Sequence, residues 1–97
     1  MNIPKQVKIN GIIYEIIEID PKDGKLVKIR NWGEINFEES KIYLNKNIET
    51  TRKWKILFHE VLHAIECDNE MDSKEEYIQT ISGNFYAFLK DNNLLKE

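Results

Sequence analysis

Along the first half of the chain, apolar positions gather in short runs, and from about residue 50 they recur every three or four residues. The run INGIIYEIIEI (9–19) is rich in isoleucine and reads as a strand. DPKDG (20–24) closes it, with Pro21 fixing φ and Gly24 free to take a positive φ. KLVKIR (25–30) alternates apolar and basic residues, as a half-buried strand should, and is expected to pair with 9–19 as a hairpin. WGEINF (32–37) and KIYLN (41–45), joined by the polar EES (38–40), extend the pattern into an antiparallel meander of three or four strands.

In the second half, Thr50 or Thr51 can cap a helix that runs to about Cys67. Trp54, Leu57, Phe58, Val61, Leu62 and Ile65 form its apolar stripe. The acidic ECDNEMD (66–72) leads to a second helix, roughly 74–91, with a stripe of Ile78, Ile81, Phe85, Phe88 and Leu89. Strands followed by helices predict an α+β fold, and the 97 residues are expected to make one domain, 1–97.

Charge and composition narrow the partners. The net charge is −3, and Lys and Arg are scattered without forming a basic block, which argues against nucleic acid. MNIPKQVKIN at the start has neither the apolar core nor the small-residue cleavage site of a secretory signal. No apolar run approaches the roughly 18 residues of a membrane span. Cys67 stands alone, so an internal disulfide is excluded and a cytoplasmic location, with no membrane partner, is expected.

The candidate chemistry sits in FHEVLH (58–63), which holds the chain's two histidines. His59 and His63 are four apart, so on a helix they stand one turn apart on one face. Two imidazoles so placed can converge on one Zn²⁺ at roughly 2.0–2.1 Å each. Glu60 is turned about 100° from His59, too far round to ligate with the histidines but near enough to take a proton from an attacking water. The competing reading is a solvated charged face. Val61, Leu62, Ala64 and Ile65 instead put the motif on a buried helix and favour the metal site.

A catalytic zinc site uses three protein ligands and one open position. With no third histidine, the remaining ligand must be Asp, Glu or Cys. Glu66 lies on the histidine face but only three residues past His63, which suits a supporting role better. Cys67, Asp68, Glu70 and Asp72 read as a solvated loop. Ser73 with Glu76 matches a capping box, which would leave Glu75 free to face inward beside Ile78 and Ile81. In the alternative register Asp72 is the cap and Glu75 closes the box. Glu75 is the preferred ligand, with Glu76 and Glu66 as alternatives.

ILFHEVLHAIE (56–66) and EEYIQTISGNFYAFLKDN (75–92) together resemble the small, often phage-encoded zinc metallopeptidase-like proteins and, more distantly, the ImmA/IrrE metallopeptidase domain. WGEINFEESKIYLN (32–45) resembles the strand pair that precedes the active-site helix in the phage proteins. In the wider family a Glu on the next helix, three residues before a small or aliphatic position and six before a hydrophobic one, is the third ligand. Glu75, Ile78 and Ile81 match that spacing. The resemblance implies a gluzincin-type peptidase acting on a peptide or protein, with Zn²⁺ on His59, His63 and Glu75 and with Glu60 as general base. A strand edge at Lys41–Asn45 would hold the extended substrate, and Tyr14, Tyr43, Tyr77 and Tyr86 are candidates to stabilise the oxyanion. Two other readings compete: a non-catalytic zinc-stabilised binding or regulatory module of phage origin, and a metal-free interaction domain. Intact Glu60 argues for the catalyst, because a structural zinc site is closed by four protein ligands and needs no base.

Overall fold

The computed structural model describes residues 2–23 and 32–95. Four strands, β1 (Gln6–Ile9), β2 (Ile12–Ile19), β3 (Gly33–Asn36) and β4 (Lys41–Asn45), precede two helices, α1 (Thr50–Asp68) and α2 (Glu75–Asp91). The order is that of the expected α+β fold. The run 9–19 is not one strand, however. It breaks at Asn10 and Gly11, whose φ values of 49° and 87° let the chain reverse between β1 and β2. Asn-Gly between apolar residues is the strongest short hairpin signal, because both positions must accept positive φ. The strand expected at 25–30 lies outside the described residues.

The sheet is mixed rather than an antiparallel meander. Its strand order is β1-β2-β4-β3, and β2 and β4 run parallel while the outer pairs are antiparallel. The cause is visible in β4, where Ile42 and Leu44 are fully buried and Tyr43 and Asn45 nearly so. A strand covered on both faces belongs inside a sheet. β4 therefore inserts beside β2 and leaves β3 at the edge. The turn between β3 and β4 is fixed by Asn36, whose Oδ1 accepts the Glu39 N–H at 2.9 Å.

α1 is the central element. Leu57, Val61 and Ala64 press it onto Ile9, Tyr14, Ile16, Ile42 and Leu44 of the sheet. Each fully buried Leu or Ile there contributes about 1.5–3 kcal/mol. On its other flank Trp54 and Phe58 meet Tyr86 of α2, with ring centroids 6.4 and 6.1 Å away. α2 buries Ile78, Ser82 and Tyr86, whereas Ile81, Phe85 and Phe88 of the expected stripe stay exposed. Among the described elements α2 packs substantially against α1 alone, and it covers a narrower stripe than its apolar residues offer. Neither helix is long and apolar enough to cross a membrane.

The caps also differ from expectation. Glu49 and Lys74 take the N-cap positions and no side chain caps either helix. Thr50 is already inside α1, so neither Thr50 nor Thr51 caps it, and both expected capping boxes of α2 are out of register with a cap at Lys74. The Ser73 N–H donates instead to Glu66 Oε1 at 3.0 Å, which ties the connection back to α1.

Two glycines separate packing from propensity. A Cβ on Gly33 would fall inside the van der Waals contact of Ile56 and crowd the Tyr43 carbonyl oxygen, whereas one on Gly83 would meet nothing within 4 Å. Gly33→Ala should lower stability by about 1–3 kcal/mol. Gly83→Ala should raise it by about 0.5–1 kcal/mol through helix propensity. Urea unfolding midpoints that move in the same direction for both would contradict this packing.

Burial first, then the charges of Asp68 and Cys67, push the Tyr14 phenol above its ordinary value of 10.0. The fold favours the neutral phenol, so this stabilisation is complete below about pH 10 and is lost as pH rises through the higher folded value. Denaturation curves recorded above pH 10 should fall less steeply with pH for Tyr14→Phe than for the parent.

Candidate metal centre

His59 and His63 occupy a third face of α1, turned neither to the sheet nor fully to α2. Their Nε2 atoms are 3.1 Å apart. Glu75, the first residue of α2, reaches across to both, with Oε1 2.5 Å from His59 Nε2 and Oε2 3.2 Å from His63 Nε2. One potential ligand atom from each of the three residues lies within 4.8 Å of the others, the one such group among the described residues. Donors 2.0–2.1 Å from a tetrahedral ion are spaced about 3.3 Å apart. Two of the separations, 3.1 and 3.2 Å, are close to that spacing. The third, 2.5 Å between His59 Nε2 and Glu75 Oε1, is shorter, so the carboxylate would have to draw back from His59 for these three residues to hold one small cation.

Electrostatics favour the ligating form of His59. Burial lowers its pKa from 6.5 against the pull of Glu75, and His63 lowers it further, which leaves a neutral imidazole with a free lone pair. Glu60 sits one position round the helix and is only 7% exposed. Burial, then the charges of Glu75 and Glu34, raise its pKa from 4.5 to about 7. A carboxyl poised there can both accept and return a proton near neutral pH.

Glu66 holds a supporting place. It is outside the three-residue group, but the hydrogen bonding of Ser73 to it keeps its carboxyl below the usual range and fixes the chain two residues before Glu75. Glu76, Cys67, Glu70 and Asp72 are exposed, and Asp68 accepts a hydrogen bond from Asn10 Nδ2 at 3.1 Å. None of them lines the cleft onto which the candidate centre opens.

That cleft has a volume of about 580 Å³ and is walled by α1, the first half of α2 and β3. Lys41–Asn45, expected to offer a free edge, is paired on both sides, and among the described residues the outer strand on the cleft side is β3. Asn45 N–H donates to the Trp32 carbonyl at 2.8 Å. By the alternation of an antiparallel ladder, Glu34 then bonds inward to Tyr43, and Gly33 and Ile35 turn their N–H and C=O groups outward. None of the four tyrosines reaches the cleft. Tyr14 and Tyr86 are core residues, Tyr43 is buried with its hydroxyl 3.4 Å from Glu39 Oε1, and Tyr77 is on the outer surface. Arg52, Lys55 and Gln79 line the cleft instead. Helical spacing could have found them: Gln79 is four residues after Glu75, and Arg52 and Lys55 are seven and four before His59.

Compared with known protein families, curated proteins and solved structures, the chain has no match in any of the three.

Proposed function

We propose that the protein is a zinc-dependent metallopeptidase, with His59, His63 and Glu75 holding Zn²⁺ and Glu60 as general base. The observation that carries this reading is the convergence of three donors beside a buried carboxyl whose pKa is about 7, all on one open cleft. Bound there, the ion would polarise the scissile carbonyl and acidify a water. Glu60 takes the proton of the attacking water and returns it to the leaving amine. Gly33 and Ile35, whose N–H and C=O groups point away from β4, offer ladder positions on which an extended peptide is held across the cleft. A set of three ligands leaves an open coordination position, and a base next to it has no use in a purely structural site. This favours the catalyst over a zinc-stabilised binding module. The resemblance of residues 56–66 and 75–92 to the phage-type zinc metallopeptidase-like proteins supports the same reading, and the lone exposed Cys67 suits a reducing cytoplasm.

The test is metal content together with hydrolysis. Protein purified without chelator should carry about one zinc per chain, cleave an unstructured protein such as casein, and lose that activity reversibly when the zinc is removed. Protein that neither retains zinc nor takes it up refutes the proposal.

A further inference from the structure

Ahead of the candidate metal centre, the cleft-facing side of α1 carries two cations, Arg52 and Lys55. At 1.5 Å per residue they lie about 10 and 6 Å along the helix from His59. The Arg52 guanidinium carbon is 4.6 Å from the centroid of the Trp32 ring, which also borders the cleft. Stacking uses the face of the guanidinium and leaves its in-plane N–H donors for a planar oxyanion. Glu49 is the acid at this end, and its carboxylate is 4.0 Å from Arg52 Nε with both side chains well exposed. Such a pair is screened by water and easily exchanged for another carboxylate. At the other end of the cleft the charge is reversed, with Glu34, Glu60 and Glu75 around the histidines.

The packing also gives the cleft a direction. Trp32 meets Arg52 and Gly33 abuts Ile56, so β3 and α1 advance in the same sense towards the histidines. A peptide paired antiparallel to β3 runs the other way, and its C-terminal portion passes Lys55 and then Arg52. An extended chain advances about 3.3 Å per residue, so 6–10 Å corresponds to two or three residues.

We infer that Arg52 and Lys55, with Trp32 as platform, form a carboxylate subsite that selects peptides bearing a negative charge two or three residues C-terminal to the scissile bond. This specificity rests on the peptidase reading of the neighbouring centre. The carboxylate is supplied either by an Asp or Glu side chain or by the peptide's own C-terminus.

The experiment uses peptides with Asp or Lys at each position around one cleavable bond, each made with a free and an amidated C-terminus. Two readouts are taken: kcat/KM for the zinc-loaded wild type, and peptide affinity for zinc-loaded Glu60→Gln followed by tryptophan fluorescence. Asp should be preferred over Lys about tenfold at the second or third C-terminal position in both readouts. The ratio should shrink towards parity in Arg52→Gln and invert in Arg52→Glu/Lys55→Glu. A preference that survives amidation assigns the subsite to a side chain, and one that requires the free end assigns it to the terminal carboxylate. Equal treatment of Asp and Lys, a preference on the N-terminal side, or a ratio unmoved in the variants overturns the inference. Cleavage without discrimination defeats the subsite alone. Charge-selective binding without any cleavage defeats the peptidase reading and leaves the subsite standing.

Discussion

Glu60→Gln is expected to hold zinc as the wild type does and to hydrolyse peptides about 10²–10⁴-fold more slowly, the usual worth of a positioned acid–base group. The substitution keeps the shape of the side chain and removes none of the three gathered donors, His59, His63 and Glu75. Its effect on folding has the opposite sign. In the metal-free protein the carboxyl's pKa rises from 4.5 to about 7, so the fold favours the neutral form. That stabilisation is complete below about pH 4.5 and is lost as pH rises through about 7. The amide cannot ionise, so the metal-free variant should melt no lower than the parent at pH 8. Zinc analysis, casein hydrolysis and thermal denaturation read the three quantities. Loss of metal would make Glu60 a ligand or an essential support, and unchanged hydrolysis would locate the activity elsewhere.

The second large effect concerns Glu75 and its neighbour. Glu75→Ala should weaken zinc binding by more than the roughly 10–100-fold that loss of a supporting partner costs. Glu76→Ala should leave zinc affinity unchanged, because that side chain is exposed and outside the donor group. It should forfeit only about 0.3–1 kcal/mol of favourable charge at a helix start. Titration with a competing chelator measures the order directly. The reverse order would mean that the donor set is wrong.

The parts of the molecule legible in the sequence are those governed by near neighbours. His59 and His63 share a face because a helix repeats every 3.6 residues, and Glu75 was reachable because it opens the next helix. Strand order was not legible, because a run of apolar residues declares a strand without naming its partners. KIYLN did carry a hint, since Ile-Tyr-Leu is apolar without alternation, as suits a strand buried on both faces. Asn10–Gly11 was hidden by the isoleucines around it, which make 9–19 look continuous. The period alone does not give the buried face of α2, for a physical reason: Phe85 and Phe88 satisfy the helical period, yet among the described elements α1 is the one packed substantially against α2. The cation pair Arg52 and Lys55 is not distinguished by the sequence, because surface charges on a helix are common and it is the fold that places these two beside a cleft.

The parallel pairing of β2 with β4 has a consequence for how the molecule opens and closes. β1 with β2, β3 with β4, and α1 with α2 are each hairpins of near neighbours, while β2 and β4 join residues as distant as Glu15 and Lys41. Such distant pairings close late in folding, after local hairpins have formed. All three candidate ligands belong to the helical hairpin, and β3 belongs to the sheet. Since β3 is paired to β4 alone among the described residues while Leu57, Val61 and Ala64 hold α1 on the inner strands, β3 is expected to open without unfolding the helical turn that carries the histidines. Native-state hydrogen exchange on the zinc-loaded protein should show this as strand amides that exchange through an opening which leaves the histidine turn of α1 protected.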